Sequence, residues 1–223
     1  VFRTEPDQSQ TLIAENDDWS TAGEAAIADA ARSVGAFELK SGSRDAAVLA
    51  TLQPGAYTVV ASAKDSTRGV ALVEVYAIES DGTASTRLVN TSTRAFVGRG
   101  DDNLIPGIVV RDDGPRTYLI RAIGPTLADY KVAGALEDPV MVVWRTIENE
   151  SIEIARNDDW SDGADTAQIA AVSEKVGAFP LPEGSADAAL LLHLEPGAYT
   201  ITVSGKADTT GIALVEIYEV TLE

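Results

Sequence analysis

The chain has 223 residues, enough for one large domain or two modest ones, with 45% hydrophobic residues and a mean hydropathy near zero. Thirty-five acids against 17 bases leave a net charge of −18, which repels nucleic acid and anionic membranes and excludes nucleic acid as a partner. There is no cysteine, so disulfides, thiol catalysis and cysteine metal sites are excluded, and no apolar run approaches the roughly 20 residues of a membrane span.

Val1 stands where Met would be expected, with no signal segment behind it, and is read as the product of a removed leader or of a cut. A short strand is predicted over 11–15, followed by the turn Asn16-Asp17-Asp18-Trp19. Thr21-Ala-Gly-Glu24 has capping-box spacing, Ile27, Ala31 and Val34 share one helical face, and Gly35 ends the helix. Strands are predicted over 45–52, 56–63 and 69–76, with Pro54-Gly55 turning between the first two. The polar stretch 79–86 reads as a linker. Strands follow over 86–97, 104–111 and 117–123, with a turn at Asp112-Asp-Gly-Pro115, and a strand over 140–145 leads onward. Then come a strand over 151–155, the turn Asn157-Asp158-Asp159-Trp160, and a helix opening on Asp165-Thr-Ala-Gln168. That helix sets Ile169, Val172 and Val176 on one face and stops at Gly177.

This second series repeats the first. Val34-Gly35-Ala36-Phe37 recurs as Val176-Gly177-Ala178-Phe179, Asp45-Ala46-Ala47 as Asp187-Ala188-Ala189, and Pro54-Gly55-Ala56-Tyr57-Thr58 as Pro196-Gly197-Ala198-Tyr199-Thr200. Gly69-Val70-Ala71-Leu72-Val73-Glu74-Val75-Tyr76 recurs as Gly211-Ile212-Ala213-Leu214-Val215-Glu216-Ile217-Tyr218. From Gly35 to Tyr76 the offset is constant at 142 residues, and about half the aligned positions are identical. The repeated stretch, the B half, covers 1–78 and 143–223; the A half, 87–142, occurs once. The expected organisation is a truncated repeat (1–78), a linker (79–86) and a complete repeat (87–223). The strand spacing predicts a mainly β chain of antiparallel β-sandwich or jelly-roll repeats, each with one short helix.

The series Arg87-Leu-Val-Asn90, Leu119-Ile-Arg-Ala-Ile-Gly-Pro125, Asn157-Asp-Asp-Trp160, Gly177-Ala-Phe179, Asp187-Ala-Ala189, Pro196-Gly-Ala-Tyr199 and Val215-Glu-Ile-Tyr218 resembles a β-rich repeat of large secreted bacterial proteins of verrucomicrobial type. The B half alone also resembles bacterial pre-peptidase C-terminal domains, jelly rolls appended to secreted enzymes, some of which bind calcium. Both resemblances imply export to the cell surface or beyond and a role in adhesion, attachment or assembly; neither implies catalysis.

Catalytic constellations are sparse. The single histidine, His193, aligns with Thr51 and lies in an apolar strand, read as an ordinary strand residue; no nucleophile elbow accompanies it, and no carboxylate pair stands out among the acids. Asn16, Asp17 and Asp18, and again Asn157, Asp158 and Asp159, put hard oxygen donors in a turn, the donor type of calcium. They are the candidate metal ligands, with Asp45 and Asp187 as further carboxylates; the competing and preferred reading is a turn that bonds its own backbone, because EF-hand spacing is missing. Trp19/Trp160, Phe37/Phe179 and Tyr57/Tyr199 are read as core, with stacking on a glycan as the alternative. Strand alternation sends Glu74 and Glu216 to solvent, the alternative being an ion pair with Arg121.

A B half alone leaves a sheet edge and an apolar face uncovered, and such an edge templates pairing with another chain. The expectation is therefore a non-catalytic extracellular structural protein, a homo-oligomer or head-to-tail polymer forming a filament or surface fibre, in which a neighbour's strands complete the first repeat. The alternatives are a cut from a longer repeat chain, one A half shared by both B halves, or a secreted calcium-dependent adhesive or carbohydrate-binding module.

Overall fold

The computed structural model describes all residues except 22, 66, 79–87, 112 and 222–223, so the linker expected over 79–86 lies outside the described residues. Contacts divide the chain into two compact units, Val1–Leu88 and Val89–Glu223.

In the first unit, β1 (Phe2–Thr4) pairs antiparallel with β2 (Gln10–Leu12) on one edge and with β3 (Ala56–Thr58) on the other. Helix α1 (Glu24–Val34) buries Ile27, and Trp19 is buried just ahead of it. The predicted capping box does not form: Gly23 is the N-cap, in the left-handed region at φ 95°, and the Thr21 hydroxyl donates to the Asp18 carbonyl instead. Gly35, at φ 74°, ends the helix as expected, and the Ala36 N–H turns back to the Ala31 carbonyl at 3.0 Å.

The second unit carries β4 (Asn90–Val97), β5 (Gly107–Val110), β6 (Arg116–Ile123), β7 (Pro139–Ile147), β8 (Glu150–Asn157), α2 (Thr166–Lys175), β9 (Ala188–Leu194), β10 (Gly197–Gly205) and β11 (Gly211–Val220). Two four-stranded antiparallel sheets, in the orders β5-β10-β7-β8 and β4-β11-β6-β9, form a β-sandwich. Inward side chains of both sheets, Ile120 and Val215 from one and Val143 and Ile201 from the other, share a single core. The outer face of the β4-β11-β6-β9 sheet is covered in turn. Leu119, Ile123 and Ala189 pack with Trp160, Ile169 and Val172 of the α2 layer. Strand β6 is therefore buried on both faces, which explains its nearly unbroken apolar run. Here too the cap differs from expectation: Asp165 is the N-cap but its side chain makes no cap bond.

The A half is thus interleaved with the B half rather than stacked on it. Strands β4, β5 and β6 come from the A half; β6 lies between β9 and β11 and hydrogen-bonds both. This corrects the expectation for the first unit. Its segments 45–52 and 69–76, counterparts of β9 and β11, take part in no strand pair among the described residues, and the strand predicted over 56–63 shrinks to Ala56–Thr58. The physical reason is the strand order: in the complete unit these two segments meet A-half strands and never each other.

Candidate functional site

In the second unit, the seam between the A and B halves holds two buried polar clusters. In the first, Arg121 on β6 stands directly across from Glu216 on β11. The guanidinium is fully buried; its Nη2 lies 2.9 Å from Glu216 Oε2, and its Nη1 donates to the Phe179 carbonyl at 2.6 Å. The Phe179 ring lies below the charge, 4.6 Å from guanidinium carbon to ring centre. Tyr218 donates to Glu216 Oε1 at 2.9 Å. Burial, then the neighbouring Glu216 carboxylate, pushes the Tyr218 hydroxyl up to about 12.

In the second cluster, the buried Asp187 carboxylate gathers the turn behind β6. It accepts from the Gly124 N–H at 2.8 Å, from the Thr126 N–H at 3.4 Å and from the Thr126 hydroxyl, and Ser185 donates to it at 2.8 Å. Three of these four donors belong to the A half. The backbones also close in: a Cβ on Gly211 would lie 2.6 Å from the Leu136 backbone, the Leu136 N–H donates to the Ile212 carbonyl at 2.8 Å, and the Ile212 N–H donates to the Gly134 carbonyl at 2.8 Å.

The first unit keeps the B-half side of both clusters without the A-half side. Glu74, Tyr76, Phe37, Asp45, Ser43 and Gly69 occupy the positions of Glu216, Tyr218, Phe179, Asp187, Ser185 and Gly211. The bonds internal to the B half persist: Tyr76 donates to Glu74 at 3.2 Å and Ser43 to Asp45 at 2.6 Å. What differs is exposure. Val73 is 52% exposed against 1% for Val215, and Leu52 39% against 3% for Leu194. Val70, Leu72, Val75 and Phe37 are exposed as well, and a Cβ on Gly69 would meet nothing within 4 Å. Strand alternation misread Glu216: the face pointing away from the sandwich core is roofed by the α2 layer, so the ion pair with Arg121 forms in place of solvation.

The Asn-Asp-Asp-Trp turns, the candidate calcium ligands, act as clasps. Asn157 Oδ1 accepts from the Ala189 N–H at 2.9 Å and its amide donates to the Asp159 carbonyl at 3.1 Å; Asn16 does the same to Ala47 and Asp18, at 3.0 and 3.1 Å. Asp158 and Asp159 face the Lys206 ammonium, at 3.1 and 3.7 Å, and Asp17 pairs with Lys64 at the equivalent position, while Asp18 gives its carbonyl to the clasp. Asp158 first, then Asp138, holds the Lys206 amine above its ordinary range. A metal ion at this turn competes with a built-in cation, a role the sequence signalled only in the constant spacing of Lys64 and Lys206. Asp45 and Asp187 are bonded as described above, away from a shared metal shell; among the described residues, no three acidic or histidine side chains gather as a metal site.

Trp19 and Trp160 are buried, and their indole N–H groups donate to the Lys40 and Pro182 carbonyls at 3.2 and 2.9 Å. Tyr199 is buried and Phe179 roofs Arg121, so these aromatics are core in the second unit. His193 is exposed and shares a 3.1 Å hydrogen bond with Thr117 across the strands. A cleft of about 600 Å³ beside α2 is lined by Trp160, Ile169 and Ala178, with Ser173 and Glu174 at its wall. No helix among the described residues is long and apolar enough to cross a membrane. No protein-family model matches the chain, and no curated protein matches it.

Proposed function

We propose that the protein is a non-catalytic structural subunit of an extracellular filament or surface fibre, joined to its neighbours where strands of one subunit complete the first unit of the next. One observation carries this reading: the strand sequences that the second unit buries against its A half lie exposed in the first and, among the described residues, join no strand pair. Exposed apolar strand segments bind by strand addition, with backbone hydrogen bonds giving affinity and alternate side chains giving specificity. The resemblance of the motif series to secreted bacterial repeats supports an extracellular setting and an assembly role.

Negative-stain electron microscopy of the purified protein over a concentration series tests the proposal. Fibres are expected, and the double substitution Val73→Lys and Val75→Lys is expected to abolish them. A monodisperse monomer at every concentration, checked by analytical ultracentrifugation, overturns it.

A further inference from the structure

The first unit holds the sequences of β9 and β11 and, among the described residues, no strand between them, although in the second unit β6 fills that position and bonds both neighbours. It also retains three residues whose counterparts are shaped by the A half. Glu216 meets Arg121, Asp187 collects the Gly124 and Thr126 donors, and Gly211 lets the Leu136 backbone approach. Their equivalents Glu74, Asp45 and Gly69 are the same residue types. A glycine with open space around it and two carboxylates at the flanks of the gap match an incoming strand and turn, not the interior of a self-contained unit.

We infer that the first unit is an acceptor for a β6-type segment of a neighbouring polypeptide, inserted between 45–52 and 69–78. The segment carries Arg-x-x-Gly-Pro-Thr, with the arginine on Glu74 and the Gly-Pro-Thr turn on Asp45. This rests on the reading above that a neighbour completes the first unit, and it names what the neighbour brings. Residues 1–223 contain one A half for two B halves, and that A half is already held in the second unit by β9, β10 and β11. The occupant is therefore an A-type segment other than the one held in the second unit. The arginine supplies selectivity, because an uncompensated carboxylate at a closing strand pair disfavours segments without a cation at that position.

The test titrates the full chain into a fluorescein-labelled synthetic peptide spanning Arg116–Glu137, followed by anisotropy and by hydrogen exchange. Saturation at one peptide per chain is expected, with exchange slowed over 45–52 and 69–78 and unchanged over 188–194 and 211–220. The peptide with Arg121→Ala, and separately the protein with Glu74→Ala, is expected to bind at least tenfold more weakly; Gly69→Leu, at an exposed position, is expected to block uptake. Absent saturation, equal binding by the Arg121→Ala peptide, or protection at 211–220 in place of 69–78 overturns the inference. Fibres without peptide uptake overturn the acceptor assignment and leave assembly standing; uptake by a protein that stays monomeric does the reverse.

Discussion

Arg121 and Glu216 set the character of the seam. Neither charge reaches bulk water: Arg121 is compensated by Glu216 and the Phe179 carbonyl, and Glu216 by Arg121 and the Tyr218 hydroxyl. Removing one partner of such a pair strands the other, a loss of about 3–5 kcal/mol. Glu216→Ala is expected to destabilise the second unit by about that much in urea denaturation. Glu74→Ala, at an exposed position, leaves the first unit's transition where it was; equal effects of the two would show that the two sites are not environmentally distinct. Tyr218 reports on the same cluster. Its folded-state pKa lies near 12 against an ordinary 10.0, so the fold favours the neutral phenol. That contribution is complete below pH 10 and is lost as the pH rises towards 12. Absorbance at the phenolate band is expected to show a late-titrating step that shrinks in Tyr218→Phe; an unchanged late step in that variant would assign the shift elsewhere.

At the level of elements, β6 explains why the strands of the second unit were legible and those of the first were not. The pattern of 117–123, 140–145 and the B-half strands located the sandwich, because those residues find the partners their alternation implies. The identical patterns at 45–52 and 69–76 gave the same expectation and failed, since a strand is a property of a pair and its partner sequence occurs once in these 223 residues. Helix ends divided similarly: Gly35 and Gly177 were readable because a left-handed residue selects glycine, whereas the capping-box spacing placed the N-cap at Asp165 but not at Thr21 and gave no side-chain cap bond at either helix. The buried Arg121–Glu216 pair was obscured because period-two alternation says which face a residue takes and nothing about what covers that face. Glycines make this testable. Gly211→Ala puts a Cβ against the Leu136 backbone and is expected to lower the second unit's melting temperature, while Gly69→Ala leaves the protein's melting unchanged. A comparable drop in both would mean that the first unit presses on Gly69 as the second presses on Gly211.

Across the whole molecule, two B halves that are identical at about half their aligned positions differ in how much apolar surface they cover. Burial of that surface is the main favourable term in folding, at roughly 25 cal/mol per Å², so similar chemistry is joined to unequal stability. Backbone opening follows local stability, and proteolysis of native protein samples the open population when closing is fast. Trypsin therefore has a directional prediction. Arg44 and Arg68 lie at the starts of the unpaired segments; Arg156 and Lys175 are also exposed, on β8 and α2 of the second unit. Side-chain access is alike, so differences in cutting report backbone opening. Cleavage after Arg44 and Arg68 is expected well before cleavage after Arg156 and Lys175, leaving a resistant fragment that contains 89–223. Adding the peptide spanning Arg116–Glu137 in excess is expected to slow the two early cuts and leave the later ones alone, because among the described residues the strand position filled by β6 in the second unit is empty in the first. Early cutting at Lys175 would place the weaker unit at the other end of the chain and remove the energetic basis for strand acceptance.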